Sequence, residues 1–395
     1  MSVDLNTWVN LESSASLEDT STELMHPCYK YPAGLSPFLV RAIIQSTTKP
    51  GDLIIDPFCG GGTTAIEAIA LGRKIVASDL NALSCFVTLA KAYPLIKKED
   101  RQTFQSWVER GYSSFYTEID SINLPVIQIK NSQFLDNELV ARLLYLCKVA
   151  KAIHNPPVRR LALLSVLRLG QIFFDCQIKT PKNAQEAFLR LTRQIANRAE
   201  QYAQICLEQI APNQIGSFLR VIRADASAIK PSITDGQPPR LVLTSPPYPN
   251  IHVLYNRWQF RGRRETNLPY ALLGITDGLP ASFYTLAPRR STDDEQYFER
   301  LKKIWANLKS LLGPETIVAQ VISFPHPEHQ LPKFRELMRL AGYREITKPN
   351  SDSKAELITR KVPNRRWYTK ITPTQCFQTE YLFLHCLDNQ LGGTG

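Results

Sequence analysis

The stretch with the clearest chemical character is residues 244–248, which read Thr-Ser-Pro-Pro-Tyr. It follows the apolar run 241–243, Leu-Val-Leu, which predicts a short buried strand. Two consecutive prolines end a sheet ladder and hold the backbone extended, so the carbonyl groups of Ser245 and Pro246 are left as acceptors beside the ring of Tyr248. Such a rigid acceptor pair next to an aromatic face suits a planar substrate with an amino group, such as a nucleobase. A proline-rich loop with a packing tyrosine is the alternative interpretation.

A second candidate site is the glycine turn in residues 56–64, Asp-Pro-Phe-Cys-Gly-Gly-Gly-Thr-Thr, which follows the apolar run 53–55. Successive glycines let a ligand approach the backbone closely, and a helix predicted from about Thr63 points its first amide groups toward the same place. The spacing matches neither the dinucleotide fingerprint nor the phosphate loop, which disfavours a phosphate-gripping function.

Two acidic residues end neighbouring predicted strands. Asp79 follows the strand after the glycine turn, where a carboxylate can accept hydrogen bonds from both hydroxyl groups of a ribose. Asp225 follows a third strand and is placed to accept from an adenine amino group. An ordinary strand-end cap is the alternative for each of them.

The elements that must position these residues form an α/β protein. A strand at 53–56, a helix that ends at Gly72 and a strand at 75–79 make a βαβ unit, which predicts a parallel sheet. Further strands are predicted at 218–222, 241–243, 316–322, 343–347 and 380–386, giving about seven strands, with the last two as a hairpin on the sheet edge.

The same pattern predicts the domain organisation. Residues 1–24 are expected to be a flexible lead, residues 25–93 and 218–395 the catalytic domain, and residues 94–217 a helical insertion. Within the catalytic domain, residues 249–292 form a basic, irregular loop region.

Composition narrows the class of protein. The 395 residues carry a formal net charge of +11, which favours a polyanionic partner, and 44% are hydrophobic, which is enough to build a core. The eight cysteines are scattered and do not cluster with histidines, so neither a metal site nor a disulfide framework is expected, and a reduced cytoplasmic location is the default. No run reaches membrane-spanning length, so no membrane contact is expected.

These residues together resemble a known family. The turn at 56–63 resembles the S-adenosylmethionine-binding motif of amino-methylating DNA methyltransferases, and residues 244–248 resemble their catalytic motif. Residues 26–37, from His-Pro to Leu-Ser-Pro, are similar to the segment that precedes the glycine turn in this family. The resemblance covers roughly residues 25–93 and 218–386 and implies a Rossmann-like class I methyltransferase fold, a seven-stranded mostly parallel sheet with a C-terminal antiparallel hairpin and, here, a helical insertion.

The resemblance also implies a role for each matching residue. Ser245 and the Pro246 carbonyl would accept hydrogen bonds from the target amino group, Tyr248 would stack on the base, and Pro247 completes the catalytic motif. The residues that would bind S-adenosylmethionine are Ser36, Asp56, Pro57, Phe58, Gly60, Gly62, Thr63, Asp79 and Asp225. The Ser-Pro-Pro-Tyr form is commonest among enzymes that methylate the 4-amino group of cytosine, so this is the favoured reaction, on a base flipped out of duplex DNA.

Interleaved arginine and aromatic residues predict the contact with DNA. One cluster directly follows the catalytic motif and a second lies near the C-terminus; they comprise Arg257, Trp258, Arg261, Arg263, Arg264, Arg365 and Arg366. A solvated loop with aromatic residues packed into the core is the alternative.

Other functions remain open at this point. Adenine 6-amino methylation has the same geometry, RNA guanine methylation usually has Asn or Asp in place of Ser245, and a nucleic-acid-binding module could keep the fold without turnover. A restriction or defence protein is a possible partner for a modification enzyme, whereas the oligomeric state and the target sequence are left undetermined.

Overall fold

The computed structural model describes residues 3–17, 23–31, 34–115, 129–174, 183–249, 257–260, 264–276, 286, 294–349, 357–363 and 377–388. Its helices are α1 Leu5–Ser16, α2 Pro37–Thr47, α3 Thr63–Ala70, α4 Ala82–Ala92, α5 Lys98–Ser113, α6 Asn137–Lys151, α7 Pro156–Phe174, α8 Ala184–Gln209, α9 Ile215–Phe218, α10 Leu268–Leu273, α11 Glu295–Lys309 and α12 Pro327–Leu340. Its strands are β1 Leu53–Asp56, β2 Lys74–Asp79, β3 Leu219–Arg223, β4 Leu241–Thr244, β5 Trp258–Phe260, β6 Arg264–Thr266, β7 Ile317–Ile322, β8 Tyr343–Glu345, β9 Ile358–Pro363 and β10 Phe377–Leu387.

One twisted sheet organises the chain, with strand order β3-β2-β1-β4-β7-β10-β8. The first five of these strands pair in parallel, whereas β10 runs antiparallel to both β7 and β8. This order, in which an antiparallel last strand is inserted beside the fifth parallel one, is the Rossmann-like methyltransferase fold that the sequence predicts. Because β1 and β4 are neighbours, the glycine turn and the Ser-Pro-Pro-Tyr motif meet at one edge of the sheet.

The sheet differs from the prediction by one strand. β9 pairs antiparallel with the first half of β10, so that eight strands are joined where seven were expected. A further two-stranded ribbon, β5 and β6, lies in the region predicted to be an irregular loop. β5, β6 and β9 are short and contain polar residues, so they lack the apolar run by which the other strands could be predicted.

Alternating side chains of the central strands pack on opposite faces of the sheet. On β1, Ile54 joins the core that contains α2 to α8, whereas Leu53 and Ile55 join the core beneath α11 and α12. β1, β4 and β7 are buried on both faces, as expected for parallel strands covered by helices.

The helical segment of residues 94–217 shares its core with the sheet domain. Side chains of α5 to α8 belong to the same hydrophobic cluster as those of α3 and α4. The buried Tyr202 hydroxyl on α8 lies 3.2 Å from the carbonyl oxygen of Ile66 on α3 and 3.0 Å from that of Ala92 on α4. Even α7, the most apolar of these helices, does not have the length and apolar character to cross a bilayer, and neither does any other helix in the described ranges.

The N-terminal residues differ from the predicted flexible lead. Residues 5–16 form α1, whose first turn is capped by the Asp4 carboxylate accepting from the Thr7 amide at 2.7 Å. Trp8, Leu11 and Ala15 lie on one face of α1 and are buried in the core shared with α2. Leu5 and Val9, the other large apolar residues of α1, are exposed, so the sequence alone does not reveal which face of the helix is buried.

We predict that Leu11→Ala destabilises the protein by about 2–5 kcal/mol, because it leaves a cavity at a fully buried position. Val9→Ala on the same helix is the matched control, since Val9 is 52% exposed and its truncation should cost little. Urea unfolding of the full chain would measure both. Equal, small changes for the two variants would mean that α1 does not contribute to the core.

Candidate active site

A cavity of about 530 Å³ opens at the carboxyl edge of the parallel strands. Its walls come from the segment before α2, the glycine turn, the end of β2, the turn after β3, the Ser-Pro-Pro-Tyr motif and α11. Both regions singled out in the sequence therefore line a single cavity, although almost two hundred residues separate them. Ligands of open parallel sheets bind at this edge.

A buried hydrogen bond joins the two motifs at the bottom of the cavity. The Thr244 hydroxyl, at the end of β4, donates to Oδ1 of Asp56, at the end of β1, over 2.7 Å. The same oxygen accepts from the amide of Phe58 at 3.2 Å, which shapes the start of the glycine turn. Burial raises the pKa of Asp56 to about 6 despite these hydrogen bonds.

Asp79 connects the end of β2 to the glycine turn. Its Oδ2 accepts from the Gly60 amide at 3.0 Å, and its Oδ1 accepts from the Asn81 amide at 2.8 Å, at the start of α4. Burial raises the pKa of Asp79 to about 6. The carboxylate lines the cavity and has lone pairs left for a ligand, which is the arrangement expected for a residue that accepts from ribose hydroxyl groups.

The glycine turn is shaped by what packs on each side of it. The ring of Tyr31 lies over the turn, so closely that a Cβ on Gly61 would be 2.6 Å from the Cβ of Tyr31. On the other side, Gly62 adopts φ +81°, and a Cβ there would be 2.9 Å from Thr88 on α4. Lys91, buried on α4, donates from Nζ to the Gly61 carbonyl at 2.9 Å, and burial lowers its pKa to about 8.

The helical segment supports the chain that carries Tyr31. On α7, the Gln171 side chain accepts from the Lys30 amide at 3.0 Å and donates to the Lys30 carbonyl at 2.8 Å. Gln171 thus pairs with the backbone of Lys30 as a neighbouring strand would. The position of Tyr31 above the glycine turn depends on this contact with a residue 141 positions later.

The turn after β3 forms the far wall of the cavity. Asp225 lines the cavity, and its Oδ1 accepts from the amide of Ser227 at 2.8 Å and from its hydroxyl at 2.7 Å. It therefore acts as the cap of its own turn and keeps the second carboxylate oxygen for a ligand. Arg300 and Lys303 on α11 add two exposed cations at the rim beside it.

The Ser-Pro-Pro-Tyr motif is held by side chains from α11 and β10. The Tyr297 hydroxyl on α11 donates to the Pro247 carbonyl at 2.9 Å, and burial raises the pKa of Tyr297 well above its ordinary value, which keeps it a neutral donor. Tyr248 is 7% exposed, and its hydroxyl lies 3.3 Å from Oγ of Ser245 and 2.9 Å from Oε1 of Glu380. Glu380 in turn forms a buried ion pair with Arg360 on β9 at 3.0 Å.

Most of the predicted cofactor-binding and catalytic residues line the cavity. They are Asp56, Pro57, Phe58, Gly60, Thr63, Asp79, Asp225, Ser245, Pro246, Pro247 and Tyr248. Two predicted residues do not. Ser36 is 1% exposed and lies at the start of α2. At position 62, the left-handed backbone conformation and the closeness of Thr88 require a glycine.

The residues predicted to contact nucleic acid lie in different environments. Trp258 is buried in the core against α7, with its indole donating to the Tyr29 hydroxyl at 3.1 Å, so in this structure it is a core residue and not a DNA contact. Arg257 is mostly buried and lies 3.4 Å from Glu265, whereas Arg264 is exposed on β6. Arg261, Arg263, Arg365 and Arg366 lie outside the described residues, as does most of the predicted loop region 249–292.

Several residues of the site were missed by the sequence analysis. Tyr31 belongs to a quoted segment, but its ring position depends on packing that no local pattern reveals. Arg300 and Lys303 look like the ordinary solvent face of an amphipathic helix. Glu380 did offer a signal, because it is a charged residue in a strand rich in apolar residues, whereas Arg360 stands beside Lys361 in a mixed strand and offered none.

Part of the chain is similar to known methyltransferases. Residues 5–88 match a family model described as DNA methylase. The type II methyltransferase M.MvaI of Kocuria varians is 35% identical over 82 residues, which are 20% of this chain and 18% of that protein. The DNA adenine methyltransferase YhdJ of Escherichia coli is 37% identical over 59 residues, 15% of this chain and 20% of that protein.

A tRNA (guanine(10)-N2)-dimethyltransferase of Methanothermobacter thermautotrophicus is 44% identical over 52 residues, 13% of this chain and 16% of that protein. The matched region thus spans about a fifth or less of each of these relatives. Among solved structures, the rRNA methyltransferase aviRa from Streptomyces viridochromogenes aligns over 95% of both chains, with 11% identity and a TM-score of 0.36, a likeness too low to bear on function.

The strand order and the position of the cleft at the carboxyl edge of the parallel strands are those of the Rossmann-like class I methyltransferase fold. Residues 5–88 are similar to the DNA methylase family, and S-adenosylmethionine is the cofactor that this similarity implies. The cavity suits this group, because both the turn after β3 and the Ser-Pro-Pro-Tyr motif line it and the carboxylates of Asp79 and Asp225 have lone pairs left for a ligand. Within the described ranges, no group of three or more acidic, cysteine or histidine side chains is arranged to hold a metal ion.

We predict that S-adenosylmethionine binds more weakly as the pH falls from 7 through about 6. Above its raised pKa, Asp79 is ionised and can accept from both ribose hydroxyl groups; below it, the proton removes part of that capacity. Calorimetric titration of the protein between pH 5 and pH 8 would measure the change. Asp79→Asn should bind weakly with a nearly flat profile over the same range, and an unchanged wild-type profile in this variant would contradict the assignment.

Proposed function

We propose that the protein is an S-adenosylmethionine-dependent DNA methyltransferase that modifies the exocyclic amino group of a base, with the 4-amino group of cytosine as the favoured target. The observation that carries this proposal is that Ser245, Pro246 and Tyr248 line the same cavity as the glycine turn and Asp79. A target amine on the Ser-Pro-Pro-Tyr motif and a methyl donor on the glycine turn would then share one enclosed space.

The cofactor-binding side of the cleft is formed by the turn and the two acidic strand ends. Asp79 would accept from the ribose, Asp225 from the adenine amino group, and Phe58, Gly60 and Thr63 would line the remaining surface. When bound, the cofactor supplies an electrophilic sulfonium methyl group. Asp56 supports this side indirectly, since its carboxylate is engaged by Thr244 and the turn.

An aromatic amine is a weak nucleophile because its lone pair is delocalised into the ring, and the Ser-Pro-Pro-Tyr motif would make it more reactive. The Ser245 hydroxyl and the Pro246 carbonyl would accept the two amino protons and favour a tetrahedral nitrogen with its lone pair directed at the methyl group. Orientation of this kind contributes a large part of the rate in such transfers. Neither a metal nor a covalent enzyme intermediate takes part in this mechanism.

The DNA would be bound through basic loops at the mouth of the cleft. Arg264 is exposed on β6, which follows the Ser-Pro-Pro-Tyr motif in sequence. Arg300 and Lys303 border the cavity. Cations around a concave site attract phosphates, and the target base must leave the duplex to enter the cavity. We propose double-stranded DNA as the substrate on this basis, together with the overall charge of +11.

Cytosine is favoured over adenine because the motif has the Ser-Pro-Pro-Tyr form. Adenine 6-amino methylation is the second candidate, and the resemblance to YhdJ over 59 residues supports it. A role in restriction-linked modification, in the cytoplasm and alongside a restriction or defence protein, is part of the proposal and has the type II relatives as its support.

The experiment that tests this function is methyl transfer to duplex DNA from S-adenosylmethionine, followed by sequencing that distinguishes 4-methylcytosine from 6-methyladenine. Ser245→Ala should lower kcat by about a hundredfold, because it removes an acceptor used in the transition state, and should leave cofactor affinity nearly unchanged. Methylation of adenine alone would replace cytosine as the target. Cofactor binding without transfer to DNA or RNA would instead indicate a nucleic-acid-binding module.

We predict that replacing Arg261, Arg263 and Arg264 together by alanine weakens DNA binding and flattens its salt dependence. Each lost phosphate contact lowers the slope of log K against log salt concentration by about 0.9. Fluorescence anisotropy at several salt concentrations would measure it. A control triple replacement of Arg110, Arg190 and Arg193, exposed on α5 and α8, removes the same charge and should leave the slope nearly unchanged.

A further inference from the structure

A buried polar chain connects the catalytic motif to the C-terminal strands. It runs from Oγ of Ser245 to the hydroxyl of Tyr248, 3.3 Å away, then to the Glu380 carboxylate at 2.9 Å and on to Arg360 at 3.0 Å. Glu380 and Arg360 are 1% and 4% exposed and face each other as paired residues of β10 and β9. Buried ionic groups are costly, so a charged pair at this position needs an explanation beyond stability.

The direction of the hydrogen bonds follows from the chemistry of each group. An arginine cannot accept, and a carboxylate paired with it is an acceptor only, so the Tyr248 hydroxyl donates its single proton to Glu380. The Tyr248 oxygen is then left as an acceptor for the Ser245 hydroxyl. With its proton committed to Tyr248, Ser245 has only lone pairs left to present to the cavity.

We propose that Glu380, Arg360 and the Tyr248 hydroxyl are positioning groups that make Ser245 a hydrogen-bond acceptor for the target amine. This inference rests on the proposed function, because it specifies how the same motif acts on its substrate. A serine hydroxyl can either donate or accept, and a donor aimed at the amine nitrogen would bind the lone pair that must attack the methyl group. The chain from Arg360 to Ser245 removes that possibility.

The same arrangement gives Tyr248 a role that differs from base stacking alone. Tyr248 lines the cavity, and its hydroxyl is hydrogen-bonded to Glu380 on β10. Stacking depends on the ring, whereas the effect on Ser245 depends on the phenol oxygen. Replacement by phenylalanine therefore separates the two roles.

We predict that Tyr248→Phe lowers kcat on the order of tenfold, about the effect of losing one oriented hydrogen bond, with the KM for DNA and the cofactor affinity nearly unchanged. Steady-state kinetics and calorimetry on the full chain would measure these quantities. Tyr343→Phe is the matched control, since the Tyr343 hydroxyl is also buried and donates to a carbonyl, that of Trp305, away from the cavity. It should change the melting temperature without changing kcat.

Two further variants test the direction of the chain. Glu380→Gln keeps the shape of the side chain but adds a donor that can face Tyr248, so it should lower kcat as Tyr248→Phe does. In a Ser245→Asp background, the carboxylate at position 245 has no proton and is an acceptor without help from Tyr248. There, Tyr248→Phe should leave kcat unchanged, whereas a purely structural role of the hydroxyl would lower kcat in both backgrounds.

The outcomes separate this inference from the proposed function. A wild-type protein that transfers methyl groups while Tyr248→Phe matches it in kcat would overturn the positioning role alone. A tenfold loss that persists in the Ser245→Asp background would also overturn it. A wild-type protein that transfers no methyl group to any nucleic acid would overturn both, because Ser245 would then have no amine to accept from.

Discussion

The hydrogen bond from Thr244 to Asp56 is the contact on which the architecture of the cleft depends. It joins the ends of β4 and β1, two parallel strands that are neighbours in the sheet, and so fixes the distance between the catalytic motif and the glycine turn. Since the Asp56 carboxyl also accepts from the Phe58 amide, one buried group sets the geometry of both motifs. The sheet brings the motifs to the same edge, and this bond determines how they face each other.

The cleft is formed at a cost in stability. Asp56, Asp79, Lys91 and the Arg360–Glu380 pair are charged or titratable groups held away from water, and burial moves the pKa of the first three toward their neutral forms. Apolar residues of similar size at these positions would favour folding more. Shifted pKa values at cavity-lining residues such as Asp56 and Asp79 are typical of a functional site, and other buried charged residues, among them Glu67 and Arg73, lie elsewhere in the core.

The features of the fold that sequence predicts correctly are those with local signals. The prolines after β4, the glycines after β1 and the acidic residue ending β2 each mark a strand end within a few positions, and the βαβ pattern predicts that the sheet is parallel. The residues missed, or given the wrong environment, depend on distant contacts. Trp258 looks like a nucleic-acid contact because arginines surround it in sequence, whereas in space it fills the core against α7.

The difference between local signals and distant contacts also explains which residues of the site could be predicted. Asp79 and Ser245 could be identified because each ends a strand, but Glu380 acts on Ser245 through a tyrosine 132 positions before it, and Tyr31 acts on the glycine turn through its ring. α1 was missed for a related reason, since its apolar residues lie on buried and exposed faces alike and only the core beneath the helix decides which face is covered. In each case the deciding interaction is tertiary, and no window of sequence contains it.

The two hydrogen bonds between the Gln171 side chain and the backbone of Lys30 have a consequence for synthesis of the polypeptide. Domains form as the polypeptide leaves the ribosome from its N-terminus, and these hydrogen bonds join residues 141 positions apart. The glycine turn and its strands are complete early, yet Tyr31 receives its support only after α7 has emerged, and Tyr248 receives Glu380 only at the end of the chain. Of the strands in the main sheet, β1 and β2 precede α7 and the others follow it, so the support of Tyr31 is complete before most of the sheet and the catalytic motif is aligned last. Truncated chains would therefore not carry a finished active site.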